Sequence, residues 1–493
     1  MKKFNYLLHF ACIAAVVAFT SCNKPGKITD ITPTTQSAEA KTSFEQGLAM
    51  MDQGDFQKSR MAFSKAIEQD PKCAVAYMFR AITANSPKEY ADNMAQAKSN
   101  LEGVSDYEKW YYQYTETFGT NDWNKRLDVA QKMATAFPDV PRTQVDLGTT
   151  YSSGNDEAHA RECFAKAIQM NPNWVGGYTA SVNSYIFVNP KDFKKGEENA
   201  MKATELAPNS AGSQIALGDC YRAQNNLEKA RDAYGKAITL DPNTSEAYYK
   251  KGHANSFLGN LDEARQNYME GAKHDDSKMG SVSAIGNSYL YGGDYKMALS
   301  YFTDQASKAD ASGDSPSNIT ATKYTCWSSA ANIALHYGDA ASLKDIVAKF
   351  EPVATQMGND GGTEQSKIQQ SATMSYWQSV LASLEGNFDA AKTKAEEMKT
   401  ALAPINDPNK MDGYEFAMGF CAMKQKNYAD AVDHFGKTQQ NSTYNKYWLA
   451  TANLDAGNKD KAASLYRDIA DYNFNEVGYA LVRNEVKKTL ATL

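Results

Sequence analysis

Along much of the chain, apolar residues recur three and four places apart, the spacing of one face of a helix. Leu227, Ala230, Tyr234, Ala237 and Ile238 follow it. Ahead of them, Ile215, Leu217, Gly218 and Tyr221 mark an earlier helix, closed by the polar run Gln224-Asn225-Asn226. Asp241-Pro242 ends the second helix, because proline cannot continue one and restricts the residue before it. The unit is a helical hairpin that cannot cover its own apolar faces, so copies must stack.

The hairpin repeats. A step of 34 residues brings Gly218, Gly252 and Gly286 into register, then Ala230, Ala264 and Ala298, then Tyr234, Tyr268 and Phe302. The small residues let the two helices approach closely, and the ring fills the space beside them. Residues 141–174 and 175–210 carry weaker copies. An early copy from Ala40 shows Gly47, Phe63, Ala66 and Pro71, and residues 74–140 fit two degenerate ones. Past residue 310 the pattern loosens, with helix pairs near 323–356, 372–408, 412–443 and 443–477.

The phrase Leu217-Gly218-x-x-Tyr221, Ala230-x-x-x-Tyr234 and Pro242 resembles the tetratricopeptide repeat, with Gln214 in place of its usual tryptophan. The resemblance implies an all-α fold: a right-handed solenoid of stacked antiparallel helix pairs, about 11–12 units, several degenerate. It divides the chain into an N-terminal array over 40–310, clearest over 141–310, and a linker over 311–322. A degenerate C-terminal array follows over 323–477, with a loop at 357–371, and a capping helix over 478–493 closes it.

Residues 1–21 read as a leader: Lys2 and Lys3 precede an apolar run from Leu7 to Phe19, too short to span a bilayer stably. Thr20-Ser21-Cys22 then resembles a bacterial lipoprotein signal, in which Cys22 carries the lipid, although Phe19 stands where Leu is usual. Ordinary secretion with cleavage near Ser21 is the competing reading. Asn23 in place of Asp favours the outer membrane in the sorting rule for such proteins, so the expected location is exported and lipid-anchored, facing the periplasm or the cell surface. Residues 22–39, rich in Thr, Pro and Ser, read as a flexible tether.

Charge and motifs remove other classes. The formal charge of −6, with no basic run, offers no footprint for nucleic acid. The six histidines form no HExxH and no pair at ligand spacing, and no GxSxG or phosphate loop is present. No catalytic residue, cofactor or metal is expected. In the resembled family, ligands lie in a concave groove lined by the first helix of each hairpin. Aligning the repeat glycines places Tyr185, Asp219, His253 and Asn287 in one column of that groove, and Ser181 and Tyr249 in another. Tyr178 and Tyr291 extend the surface. Tyrosine and asparagine offer rigid contact area with hydrogen bonds. The expected function is a non-catalytic scaffold holding a protein or peptide in the groove. The alternative is a glycan- or nutrient-binding surface lipoprotein that assists an outer-membrane transporter.

Overall fold

The computed structural model describes residues 30–275, 277 and 279–493. The leader, Cys22 and the start of the tether lie outside the described residues. Among those described, helices come in antiparallel pairs with no strand. The first four pairs are α1 (Ala38–Asp52) with α2 (Phe56–Gln69), α3 (Ala74–Ile82) with α4 (Pro87–Ser99), α5 (Asp106–Thr120) with α6 (Trp123–Ala136), and α7 (Pro141–Ser153) with α8 (Glu157–Met170). Next are α9 (Val175–Phe187) with α10 (Phe193–Leu206), α11 (Ala211–Ala223) with α12 (Leu227–Leu240), α13 (Ser245–Leu258) with α14 (Leu261–Gly271), and α15 (Met279–Tyr291) with α16 (Tyr295–Lys308). The C-terminal half holds α17 (Pro316–His336) with α18 (Ala340–Asp360), α19 (Glu364–Leu384) with α20 (Phe388–Ala401), α21 (Asp412–Lys424) with α22 (Tyr428–Gly436), and α23 (Thr443–Asp455) with α24 (Lys459–Ala470). The last helix is α25 (Val477–Leu490).

Each strong pair is locked where the sequence pattern put its glycine. A Cβ on Gly218 would lie 2.5 Å from the Tyr234 ring, one on Gly252 2.3 Å from Tyr268, and one on Gly286 2.1 Å from Phe302. Gly47 meets Phe63, Gly148 meets Phe164 and Gly419 meets Phe435 in the same way. Within a pair the turn is also shared. The residue before the second helix takes a left-handed conformation, as at Gly54, Asn155, Gly293 and Gly338. The Asp after each of these caps the helix: Asp55, Asp156, Asp294 and Asp339 accept the backbone N–H three residues on.

Three boundary expectations need correction. The linker expected over 311–322 is mostly helix, because Ser315 caps α17 and Pro316 occupies its first turn, where a missing N–H costs nothing. The loop expected over 357–371 is a tight turn at Gly361-Gly362-Thr363 between two 21-residue helices, with Thr363 capping α19. The described part of the tether does not hang free. Ile31 is buried, Thr34 bonds Glu108 through its N–H and hydroxyl, and the Thr35 hydroxyl bonds Asp70.

The solenoid coils tightly enough for distant pairs to touch. Asp52, at the end of α1, accepts two bonds from Arg142 at 2.8 and 3.0 Å and one from the Trp174 indole at 2.7 Å. Lys58 pairs with Asp241. The two halves are continuous through α16 and α17, and they also meet across the coil. There the Trp123 N–H donates to the Asn406 carbonyl at 2.8 Å and Asn121 donates to Asp407 at 2.8 Å. Cys73, Cys163, Cys220, Cys326 and Cys421 are buried and unpaired.

Candidate binding surfaces on the concave face

The first helices of the pairs turn the same way. Side chains from α9, α11 and α15 meet the segment joining α24 to α25, and Phe257 of α13 meets Tyr479 at the start of α25.

The eight expected groove residues lie on these helices, and most already have partners. Tyr178 is buried, its hydroxyl donating to the Pro172 carbonyl at 3.1 Å. Ser181 donates to the Tyr178 carbonyl and accepts from Asn199, both at 2.8 Å. Tyr185 lies beneath the Arg161 guanidinium, 4.8 Å from its ring centre. Tyr249 donates to Asp275 at 3.0 Å.

Asp219 is buried and bonded to the Tyr234 hydroxyl and the Lys250 ammonium, each at 2.7 Å, with Arg222 2.9 Å away. Burial alone would raise its pKa, but Lys250 and Arg222 hold it below the ordinary carboxylate value. His253 faces the Tyr268 hydroxyl at 3.1 Å. Burial, with Arg222 and Lys250 nearby, pushes its pKa well below the ordinary value, so the ring is neutral.

One rule organises this column. Where the large repeat position is Tyr234 or Tyr268, its hydroxyl is bonded by the column residue of the same pair, Asp219 or His253. Where that position is Phe302, Asn287 has no such partner and reaches instead to Asn475 at 3.5 Å. Tyr291 donates to the same Asn475 oxygen at 3.0 Å.

The expected groove residues of the N-terminal array therefore face a segment of the chain itself. Tyr472 and Phe474 face the Phe187 ring at 6.0 and 5.0 Å. Arg222 lies 5.4 Å from the Phe474 ring centre and Lys191 5.7 Å from that of Tyr472. Asn473 donates to Asn225 at 2.7 Å. Column alignment within the repeats did not point to this occupant, which comes from about 250 residues away in sequence.

An open pocket of about 640 Å³ lies in the C-terminal half. Its walls come from α17, α19, α20, α21, the start of α23, the start of α25, the loop between α20 and α21, and Asn121 after α5. Tyr376, Phe416 and Tyr444 supply aromatic surface, the last two stacked with ring centres 5.8 Å apart. Asp407, Asp412 and Glu476 supply carboxylates, each held by a neutral donor: Asn121, Asn445 and Thr443. Lys410 also lines the pocket, but its ammonium donates to the Ala403 and Ile405 carbonyls at 2.9 and 2.7 Å. Burial raises the Glu476 pKa. Sequence reading missed this pocket. The only available signal was the recurrence of aromatic residues in first helices of the degenerate half.

Among the described residues, no group of His, Cys, Asp and Glu is placed to hold a metal ion, and no helix is long and apolar enough to cross a membrane.

With this geometry the fold is that of a tetratricopeptide-repeat solenoid, and the sequence itself carries the repeats. Tetratricopeptide repeat models match residues 44–99, 141–173 and 245–275, and a TPR repeat model matches 218–256. No curated protein matches this sequence. Among solved structures, the chain is similar to the APC/C hetero-tetramer Cut9-Hcn1, at 12% identity over 94% of this chain and 79% of that one, with a TM-score of 0.43. It is also similar to a tetratricopeptide repeat protein from Parabacteroides merdae, at 11% identity over 58% and 98%, with a TM-score of 0.34. A third likeness is to MamA, at 21% identity over 33% and 93%, with a TM-score of 0.28.

Proposed function

We propose that this protein is a non-catalytic scaffold, lipid-anchored through Cys22 to a bacterial outer membrane, that receives a protein or peptide partner on its concave face. The observation that carries the reading is the open pocket in the C-terminal half of a repeat array whose N-terminal groove is closed. Among the described residues its three carboxylates have no ion-pair partner, and its one lysine is spent on backbone carbonyls, so it favours a partner segment bearing Lys or Arg. The aromatic walls suit such a cation as well.

The test is crosslinking and pull-down from membranes. Asp412→Asn/Tyr376→Ala should lose the partner, whereas Tyr249→Phe, on the closed side, should keep it. Retention of the partner by the pocket variant would refute the assignment. For the anchor, radiolabelled palmitate should enter the wild type and not Cys22→Ala. An unlabelled wild type would sink that part.

A glycan reading is favoured by one feature, the aromatic rings set among amides and carboxylates, which also suits a sugar. Calorimetry with polysaccharides separates the two, since saturable binding lost in Tyr376→Ala would replace the protein partner with a glycan.

A further inference from the structure

The segment between α24 and α25 is too well seated in the N-terminal groove to be a plain connector. Residues 472–476 are neither helix nor strand. Their side chains alternate in chemistry and in what they meet: Tyr472 and Phe474 meet Phe187, Lys191 and Arg222, while Asn473 and Asn475 meet Asn225, Asn287 and Tyr291. Asn473 is fully buried and has φ +51°, a left-handed conformation that asparagine tolerates better than most residues. Three first helices or their following turns, those of α9, α11 and α15, thus contribute to one binding surface.

The fit of shape is better than the fit of polar groups. Arg222 is 1% exposed, and while its Nη2 is ion-paired with Asp219 at 2.9 Å, its Nε makes no hydrogen bond. Asn287 is 3% exposed and its Oδ1 has no hydrogen-bond partner. Leaving buried donors and acceptors unmatched costs free energy that a better-matched occupant would recover. Covalent attachment holds the present occupant at high effective concentration despite this mismatch.

We propose that residues 472–475, Tyr-Asn-Phe-Asn, are a built-in ligand of the N-terminal groove, and that the groove recognises a short non-helical peptide in which aromatic residues alternate with asparagine. A partner segment of this kind binds by displacing the internal one. The groove side chains named here do not line the pocket, so the two assignments are tested separately, although the segment runs into the pocket wall at Glu476.

The test uses a fluorescent synthetic peptide of residues 470–478 and the full chain from Asn23 onward. Tyr472→Ser/Phe474→Ser, which weakens the internal segment, should bind the peptide at least tenfold more tightly than wild type. Adding Phe187→Ala should remove that gain, and a scrambled peptide should not bind. Equal affinity of variant and wild type, or binding of the scrambled peptide, overturns the proposal.

A second experiment does not depend on how well that variant folds. In Asn225→Cys/Asn473→Cys, the side chains that now touch can be joined by a disulfide. The oxidised form should exclude the peptide and the reduced form should admit it. Equal binding by both forms, or binding by neither, counts against the built-in ligand.

Discussion

At the residue scale, most positions that distinguish one repeat from the next serve the stack. Asp219 and His253 bond the tyrosine hydroxyls of their own pairs, and buried hydroxyls need such partners. The groove reading passed over this role, although a sign of it was present: the column changes character where the large position changes from Tyr to Phe, at Phe302. Because His253 is held neutral, it makes stability depend on pH. The unfolded chain takes up this proton near 6.5, whereas the folded chain resists it to lower pH. Protons therefore favour unfolding below 6.5, and this contribution is absent above it. Urea midpoints should fall as pH drops from 6.5 to 5, by up to about 1.4 kcal/mol per pH unit from this group. His253→Gln keeps an acceptor for Tyr268 and should flatten the dependence. An unchanged slope would assign the titration elsewhere.

Glycines at this scale divide into two kinds. Alanine has the better helix propensity, by about 1 kcal/mol. At Gly235, where a Cβ meets nothing within 4 Å, Gly235→Ala should stabilise by roughly that amount. At Gly252 the same change sets a Cβ 2.3 Å from a fully buried Tyr268 ring. Overpacking costs about 1–3 kcal/mol and outweighs the gain in propensity, so Gly252→Ala should lower the urea midpoint. If both variants shift in the same direction, close approach is not what keeps Gly252.

At the scale of elements, the turn inside most pairs follows one recipe, from which α3–α4 and α9–α10 depart. A left-handed residue precedes an Asp or Asn whose N–H bonds a carbonyl five residues back, as in Asp156 to Tyr151, Asn260 to Asn255 and Asn427 to Ala422. Where a turn has this left-handed place it is filled by Gly or Asn, except in the pair α21–α22, which uses Lys426, at φ +60°. A side chain with a Cβ costs about 1 kcal/mol there. Lys426→Gly should therefore raise the unfolding midpoint by up to that amount, and a decrease would show that the lysine side chain holds the turn by another contact.

Gly-Asp, Gly-Asn and Asn-Asp pairs thus mark the turns even where the helix faces degenerate. The helices of residues 141–310 were legible because glycine, alanine and ring kept one period. Those around 311–371 were not, because Ser315-Pro316 and Gly361-Gly362-Thr363 read as breaks when each is a helix start with its cap. The pocket was illegible for another reason. Its walls come from first helices that share no column, and from a loop whose place is set by contacts to Asn121 and Trp123 far away in sequence.

At the scale of the whole molecule, closure changes what holds the coil. A plain solenoid is a sum of neighbour contacts and frays from its ends. Here the first pair is also tied to the fourth and fifth through Asp52, whose carboxylate binds Arg142 and the Trp174 indole while its carbonyl accepts from Thr179 at 2.7 Å. The Arg142 side chain is 5% exposed, so it depends on Asp52 and Asp30 for compensation of its charge. Removing one partner of a buried ion pair costs about 3–5 kcal/mol, and Asp30, still bonded to Arg142 in Asp52→Ala, should keep the loss near or below the low end of that range. The effect should be local as well as large. In hydrogen exchange, α1 and α2 of Asp52→Ala should open together well below the global unfolding free energy, while α21 to α25 keep wild-type protection. Uniform loss of protection would mean that Asp52 supports the whole coil. No change at all would mean that the first pair is held without Asp52, by α3 and by the Lys58–Asp241 contact across the coil.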